Sequence, residues 1–234
     1  MNRLVLPVLA LFVCVPAADA APLFATTLNA NAAYGSDYGN NFGFRTYDNF
    51  TLGTSSHVEA LTWDFLFIDL ARPQPAPAPT DDVNQWIVSF YADNAGVPGA
   101  QLASHTFAPA DVTSTFPSQG SYSVDGNTYN ITSYHYAAGL PTDFLALAGT
   151  TYWLSVFALS DAYSPVAAWR GGSGGLGPST FQQQLGAGMV VTSARTIASD
   201  RSFSLEGRQA PEPSVLLLTA AGFGAAVLRR RRPV

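Results

Sequence analysis

The chain has 234 residues, of which 47% are hydrophobic and only 12% charged. That length and composition exclude intrinsic disorder and point to one or at most two domains with a sizeable core. A single cysteine excludes a disulfide scaffold and any cysteine-based metal cluster. No apolar run is long enough for a polytopic membrane protein. The net charge is −5, and all 11 basic residues are arginine. Residues 21 to 208 hold six of these arginines against fourteen acidic residues, so the body carries about −8. Such a body repels polyanions, so nucleic acid is not an expected partner.

The chain opens on a short basic start with Arg3. An apolar stretch from Leu4 to Val15 follows, then an A-x-A exit at Ala18–Asp19–Ala20. This pattern predicts a secretory signal helix over residues 1–20, cleaved after Ala20. Pro7 and Pro16 argue against a buried structural helix. Cleavage removes Cys14 and leaves a mature chain without a thiol, which suits an oxidising compartment.

Residues 21–208 read as one antiparallel all-β domain, a β-sandwich or jelly roll. Strands are expected over 45–52, 59–69, 85–91, 101–107, 133–137, 151–159, 188–192 and 202–205. In the segment 59–69, Leu61, Trp63, Phe65 and Phe67 share one face. Leu66 and Ile68 on the other face predict a strand covered on both sides at one end. The turn Asp125–Gly126–Asn127 predicts a hairpin between 121–124 and 128–131. Arg72–Thr80 reads as an extended, polyproline-like loop inside the domain. The glycine-rich run 171–177 reads as a flexible surface loop: it lacks the lysine and Ser/Thr of a phosphate-binding loop.

Chemistry is sparse. His57, His105 and His135 have no metal-ligand spacing, and no G-x-S-x-G elbow is present. Asp48, Glu59, Asp64 and Asp69 are the acids from which a glycosidase pair, ~5–9 Å apart, would have to come. Asp93 and Asn94, in Asp93–Asn94–Ala95–Gly96, offer hard oxygen ligands and form a weak calcium candidate. No other cofactor is expected. Tyr34, Tyr38, Phe42, Tyr163 and Trp169 (beside Arg170) fall in loop-like sequence and are candidates for stacking a sugar ring.

The C-terminal segment, 210–234, reads Pro211–Glu212–Pro213, then Ser214, then an apolar stretch Val215–Leu228, then Arg229, Arg230, Arg231 and Arg232. As a helix, that apolar stretch would be ~21 Å long, shorter than the ~30 Å hydrocarbon core. The arginines would hold their end on the cytoplasmic side and leave the body outside. The triplet, short span and arginine run together resemble the PEP-CTERM sorting signal of Gram-negative bacteria. The resemblance implies recognition by an exosortase, a membrane transpeptidase-like enzyme that removes the tail. It also implies a membrane-anchored intermediate, followed by delivery to the cell surface or an exopolysaccharide matrix. In that reading Pro211, Glu212 and Pro213 are substrate residues, held extended by the two prolines. The body is more loosely similar to secreted bacterial proteins bearing this tail. The shared features are Tyr47–Asp48–Asn49–Phe50, Trp63, Phe90–Gly99, Gly149–Leu154, Trp169 and Phe203–Gly207. That likeness implies a β-sandwich and no chemistry.

Three classes of function follow. The leading one is an exported surface or matrix protein, without catalytic activity, that an exosortase processes. The second is a carbohydrate-binding module of an exopolysaccharide matrix. The third is a secreted glycoside hydrolase, which would need a carboxylate pair or a triad converging in a cleft.

Overall fold

The computed structural model describes residues 22–68, 83–124, 127–161, 166–175, 180–197 and 199–211. Ala18, Ala20, Asp69, the Arg72–Thr80 stretch, Asp125–Gly126, Tyr163, Glu212, Pro213 and Arg229–Arg232 lie outside them. Among the described residues no helix is long and apolar enough to cross a membrane.

The described chain is all-β. Its first strands are β1 (Phe24–Ala25), β2 (Thr27–Gly35), β3 (Asp37–Gly39), β4 (Phe42–Thr51) and β5 (Ser56–Ile68). Then come β6 (Gln85–Asp93), β7 (Pro98–Phe107), β8 (Thr113–Val124), β9 (Asn127–Ala146) and β10 (Thr151–Leu159). The last are β11 (Val166–Ser173), β12 (Thr180–Leu185), β13 (Val191–Ile197), β14 (Asp200–Arg201) and β15 (Phe203–Gln209). They form two sheets. One runs β13-β12-β4-β3-β10-β6-β7. The other is built on β5, which pairs with β9 along one edge. The opposite edge of β5 is shared, by β15 in its first half and β11 in its second. Beyond β11 lie β2 and β14, beyond β15 lies β1, and beyond β9 lies β8. All pairings are antiparallel except that of β3 with β10.

The alternation in β5 does what its sequence predicts. Leu61, Trp63, Phe65 and Phe67 point between the sheets and are at most 1% exposed. From the facing sheet they meet Phe50, Trp86, Val88, Phe90, Leu154 and Val156. Trp86 stands edge-on to Trp63 (5.7 Å between centroids) and Phe65 (5.0 Å), so the centre is an aromatic lattice. Leu66 and Ile68 face the other way and are buried with Ala33, Ile131 and Ala168. That is the two-sided cover expected from the sequence.

Two expectations are corrected. Gly171, Gly172 and Ser173 are not loop but the end of β11. A Cβ on Gly172 would sit 2.3 Å from the Arg201 carbonyl oxygen, so glycine lets β14 approach. Segment 188–192 is not one strand either. Ala187–Met189 is a 3-10 turn in which Gly188 and Met189 both have positive φ, and β13 begins only at Val191.

Candidate binding site at the open edge of the sandwich

The inter-sheet space changes character along β4. Alternate residues Phe42, Phe44, Thr46, Asp48 and Phe50 share its inward face. Phe50 belongs to the apolar core. Two residues earlier the layer turns polar: the buried Asp48 carboxylate accepts from the backbone N–H groups of Arg201 (2.6 Å) and Asn49 (2.9 Å). Burial pushes its pKa up to about 8, and the neighbouring Asp200 adds to the rise. Asp37, at the β2–β3 corner, is driven up to about 8 by burial alone; one oxygen accepts from Ala167 N–H at 3.0 Å.

Beyond this polar layer the sandwich opens. The β12–β13 hairpin extends the sheet past its partner, and β13 is exposed on both faces from Val191 to Thr196. Register places Phe44 opposite Gln184 and Gln184 opposite Ser193; Gln182 lies opposite Arg195. Phe44, Gln182, Gln184, Ser193, Ala194 and Arg195 line a cavity of about 280 Å³. Tyr34, reaching in from β2, has a half-buried ring. Arg201 lies over it at 4.6 Å and Arg195 at 6.0 Å.

A hydrogen-bond chain fixes the floor. The Gln182 amino group donates to the Gly35 carbonyl (3.0 Å) and the Thr46 hydroxyl (3.2 Å). Because a carbonyl only accepts, this sets the amide orientation and turns Gln182 Oε1 outward. That oxygen accepts from Arg195 Nε (3.1 Å) and Nη2 (2.8 Å). Ser193 donates to Gln184 Oε1 at 3.0 Å. Phe44 stands edge-on to Phe42, with ring centroids 5.4 Å apart. The site is thus an aromatic wall, two amides, a hydroxyl and a preset guanidinium.

The sugar-stacking candidates separate. Tyr34 and Phe42 lie at this opening, half-buried. Tyr38 is tied down: its hydroxyl donates to the Gly186 carbonyl (3.1 Å) and accepts from Met189 N–H (3.3 Å). Trp169 is overturned as a stacking platform. It is fully buried on β11 between Phe65 and Phe203, and its indole N–H donates to the Ser202 carbonyl at 2.9 Å. Its neighbour Arg170 is buried as well, donating to Ser133 Oγ at 2.7 Å.

Asp93–Asn94–Ala95–Gly96 is a hairpin turn with positive φ at Ala95 and Gly96, closed by Asn94–Val97 backbone bonds. Both Asp93 oxygens face donors, Gly96 N–H (3.2 and 3.3 Å) and Trp153 Nε1–H (2.8 Å). Among the described residues no group of three or more His, Cys, Asp or Glu side chains is placed to hold a metal.

Among the described residues, the acids weighed as a glycosidase pair do not converge. Glu59 and Asp64 lie on one strand, about 16 Å apart along it. Asp48 is buried under β14. Asp64 instead accepts from Ser202 Oγ (2.5 Å) and contacts His135 Nδ1 (3.0 Å). The serine therefore bonds the carboxylate and not the imidazole, which is the wrong order for an activated nucleophile. His57 pairs with Asp143 at 2.6 Å on the outer face, beside Arg208 and Glu59. His105 is half-buried, and burial lowers its pKa.

Sequence reasoning named Tyr34 and Phe42 but missed Phe44, Gln182, Gln184, Ser193 and Arg195. A Phe-x-Phe pattern at 42–44 and the run Gln182–Gln183–Gln184 were the available signals. Compared with family models, curated proteins and solved structures, the chain matches none.

Proposed function

We propose that this chain is an exported cell-surface or extracellular-matrix protein, without catalytic activity of its own, processed by an exosortase at Pro211–Glu212–Pro213. One observation of the fold supports the reading. The last strand ends at Gln209, Ala210 N–H bonds the Ser55 carbonyl at 2.8 Å, and Pro211 follows exposed. The triplet therefore begins where the packed domain stops, within reach of a processing enzyme. Deleting Pro213–Val234 is expected to abolish surface display in the native host. Display unchanged by that deletion would sink the proposal.

A second reading, carbohydrate binding in a polysaccharide matrix, is favoured by the Phe44–Gln182–Gln184–Arg195 opening. Its groups are those that bind sugars through stacking and hydrogen bonds. It predicts a rise in unfolding temperature when matrix oligosaccharide is added.

A further inference from the structure

The open edge carries a preference for charge as well as shape. We infer that it binds the anionic, carboxylate-bearing units of a polysaccharide, with Arg195 as the reading residue. The inference rests on the carbohydrate-binding reading and deepens it.

Gln182 is spent: its amino group is held by Gly35 and Thr46, and its oxygen by Arg195. One end of the Gln184 amide is held by Ser193. Arg195 is different. Two of its N–H groups go to Gln182, and a guanidinium has five. Three N–H donors remain on an exposed side chain already held in one orientation. Among the described residues no carboxylate pairs with it. The described ion pairs join other groups: His57 and Arg208 with Asp143, Arg208 with Glu59, and His135 with Asp64. In a body with more than twice as many acids as arginines, an exposed arginine without an acid partner at a cavity mouth is a site waiting for an anion.

The geometry narrows the class. A planar guanidinium fork held by a glutamine presents its free edge to a planar, two-oxygen acceptor, which is what a carboxylate is. Phe44 supplies an aromatic wall beside that edge, and the Tyr34 ring lies beneath the Arg195 and Arg201 guanidiniums. A cavity of about 280 Å³ is near the ~300 Å³ lower bound of small-molecule pockets. One ring would seat there while the rest of the chain lies along exposed β13. The acidic body opposes a polyanion at long range. At physiological salt that repulsion is screened beyond ~8 Å, and the local contact decides.

The test is calorimetry on the full chain in mild detergent, at physiological salt, with two probes: α-1,4-linked oligogalacturonate and neutral maltohexaose. The uronate is expected to bind at least about tenfold tighter than the neutral sugar. Arg195→Ala should remove about tenfold or more of that affinity. Arg195→Lys should recover only part, because the fork is lost. Arg208→Ala, on the outer face of the other sheet, should change nothing. Equal binding of both probes would overturn the charge preference and leave carbohydrate binding standing. Uronate binding that survives Arg195→Ala would overturn the location. No binding of either probe at ~10 mM would overturn both readings. Arg195 is exposed on an edge strand, so its variants are expected to fold; an unchanged unfolding temperature without ligand verifies it.

Discussion

The two ends of the inter-sheet space are built from the same strands and behave differently. At the closed end β4 contributes Phe50, which with Leu52 just beyond the strand belongs to the apolar core. At the open end the same strand contributes Phe44 and Thr46, and the neighbours are glutamines and arginines. The closed end is held by area, which is non-directional and tolerant of detail. The open end is held by a few oriented hydrogen bonds, each of which fixes a position. The first supplies stability, and the second supplies a shaped, polar surface.

The largest contrast should appear on truncation. Trp63→Ala removes a fully buried ring that touches Trp86 and Tyr136, and is expected to cost about 3–5 kcal/mol. Phe44→Ala, half-buried at the mouth, should cost about 1 kcal/mol. Urea unfolding of both variants measures the difference, and equal losses would erase the distinction between the two ends.

Next is the close approach behind the site. Gly172→Ala places a methyl against the Arg201 backbone and should destabilise by about 1–3 kcal/mol. A neutral result in thermal unfolding would mean that β14 yields freely. Smaller is the effect of unclamping the floor. Gln182→Ala should lower stability by about 1–2 kcal/mol. It should also weaken ligand binding, although Gln182 has no donor or acceptor left for a ligand. Binding that survives the change would show that Arg195 needs no positioning.

The polar layer between the two ends is read by pH. The folded Asp37 carboxyl titrates near 8, whereas an unfolded aspartate titrates near ~3.9. Between these values the folded state holds a proton that the unfolded state has lost. The contribution is therefore complete below about pH 4 and is lost as pH rises towards 8. Asp48 acts in the same direction. Asp37→Asn, neutral at every pH, should roughly match the native protein near pH 4 and become progressively the more stable of the two as pH rises towards 8. Parallel stability–pH curves for the two proteins would contradict this.

Most of the closed end was legible in the sequence. β5, β6 and β10 alternate bulky apolar residues, and their core faces follow from period two. β2, β11 and β12 were not legible. TLNANAAYG and TFQQQL carry few bulky residues, because they build the polar mouth and a flat crossing. The glycines of β11 imitate a loop, yet serve close packing against β14. Trp169 looked exposed beside Arg170 and among alanines, but pairing opposite Phe65 turns it inward. The site itself gathers Tyr34, Phe44, Gln182 and Arg195 from four strands. Only the order β13-β12-β4, with β2 crossing from the other sheet, brings them together. No local pattern encodes that order.

The central claim is export followed by removal of the tail, with the sandwich delivered outside the cell. An intact mass of the protein recovered from its native cell surface tests it most directly. The account predicts a chain that begins at Ala21 and ends within Pro211–Pro213, with or without an attached group. A mass extending to Val234 would contradict it, and would make the tail a permanent anchor.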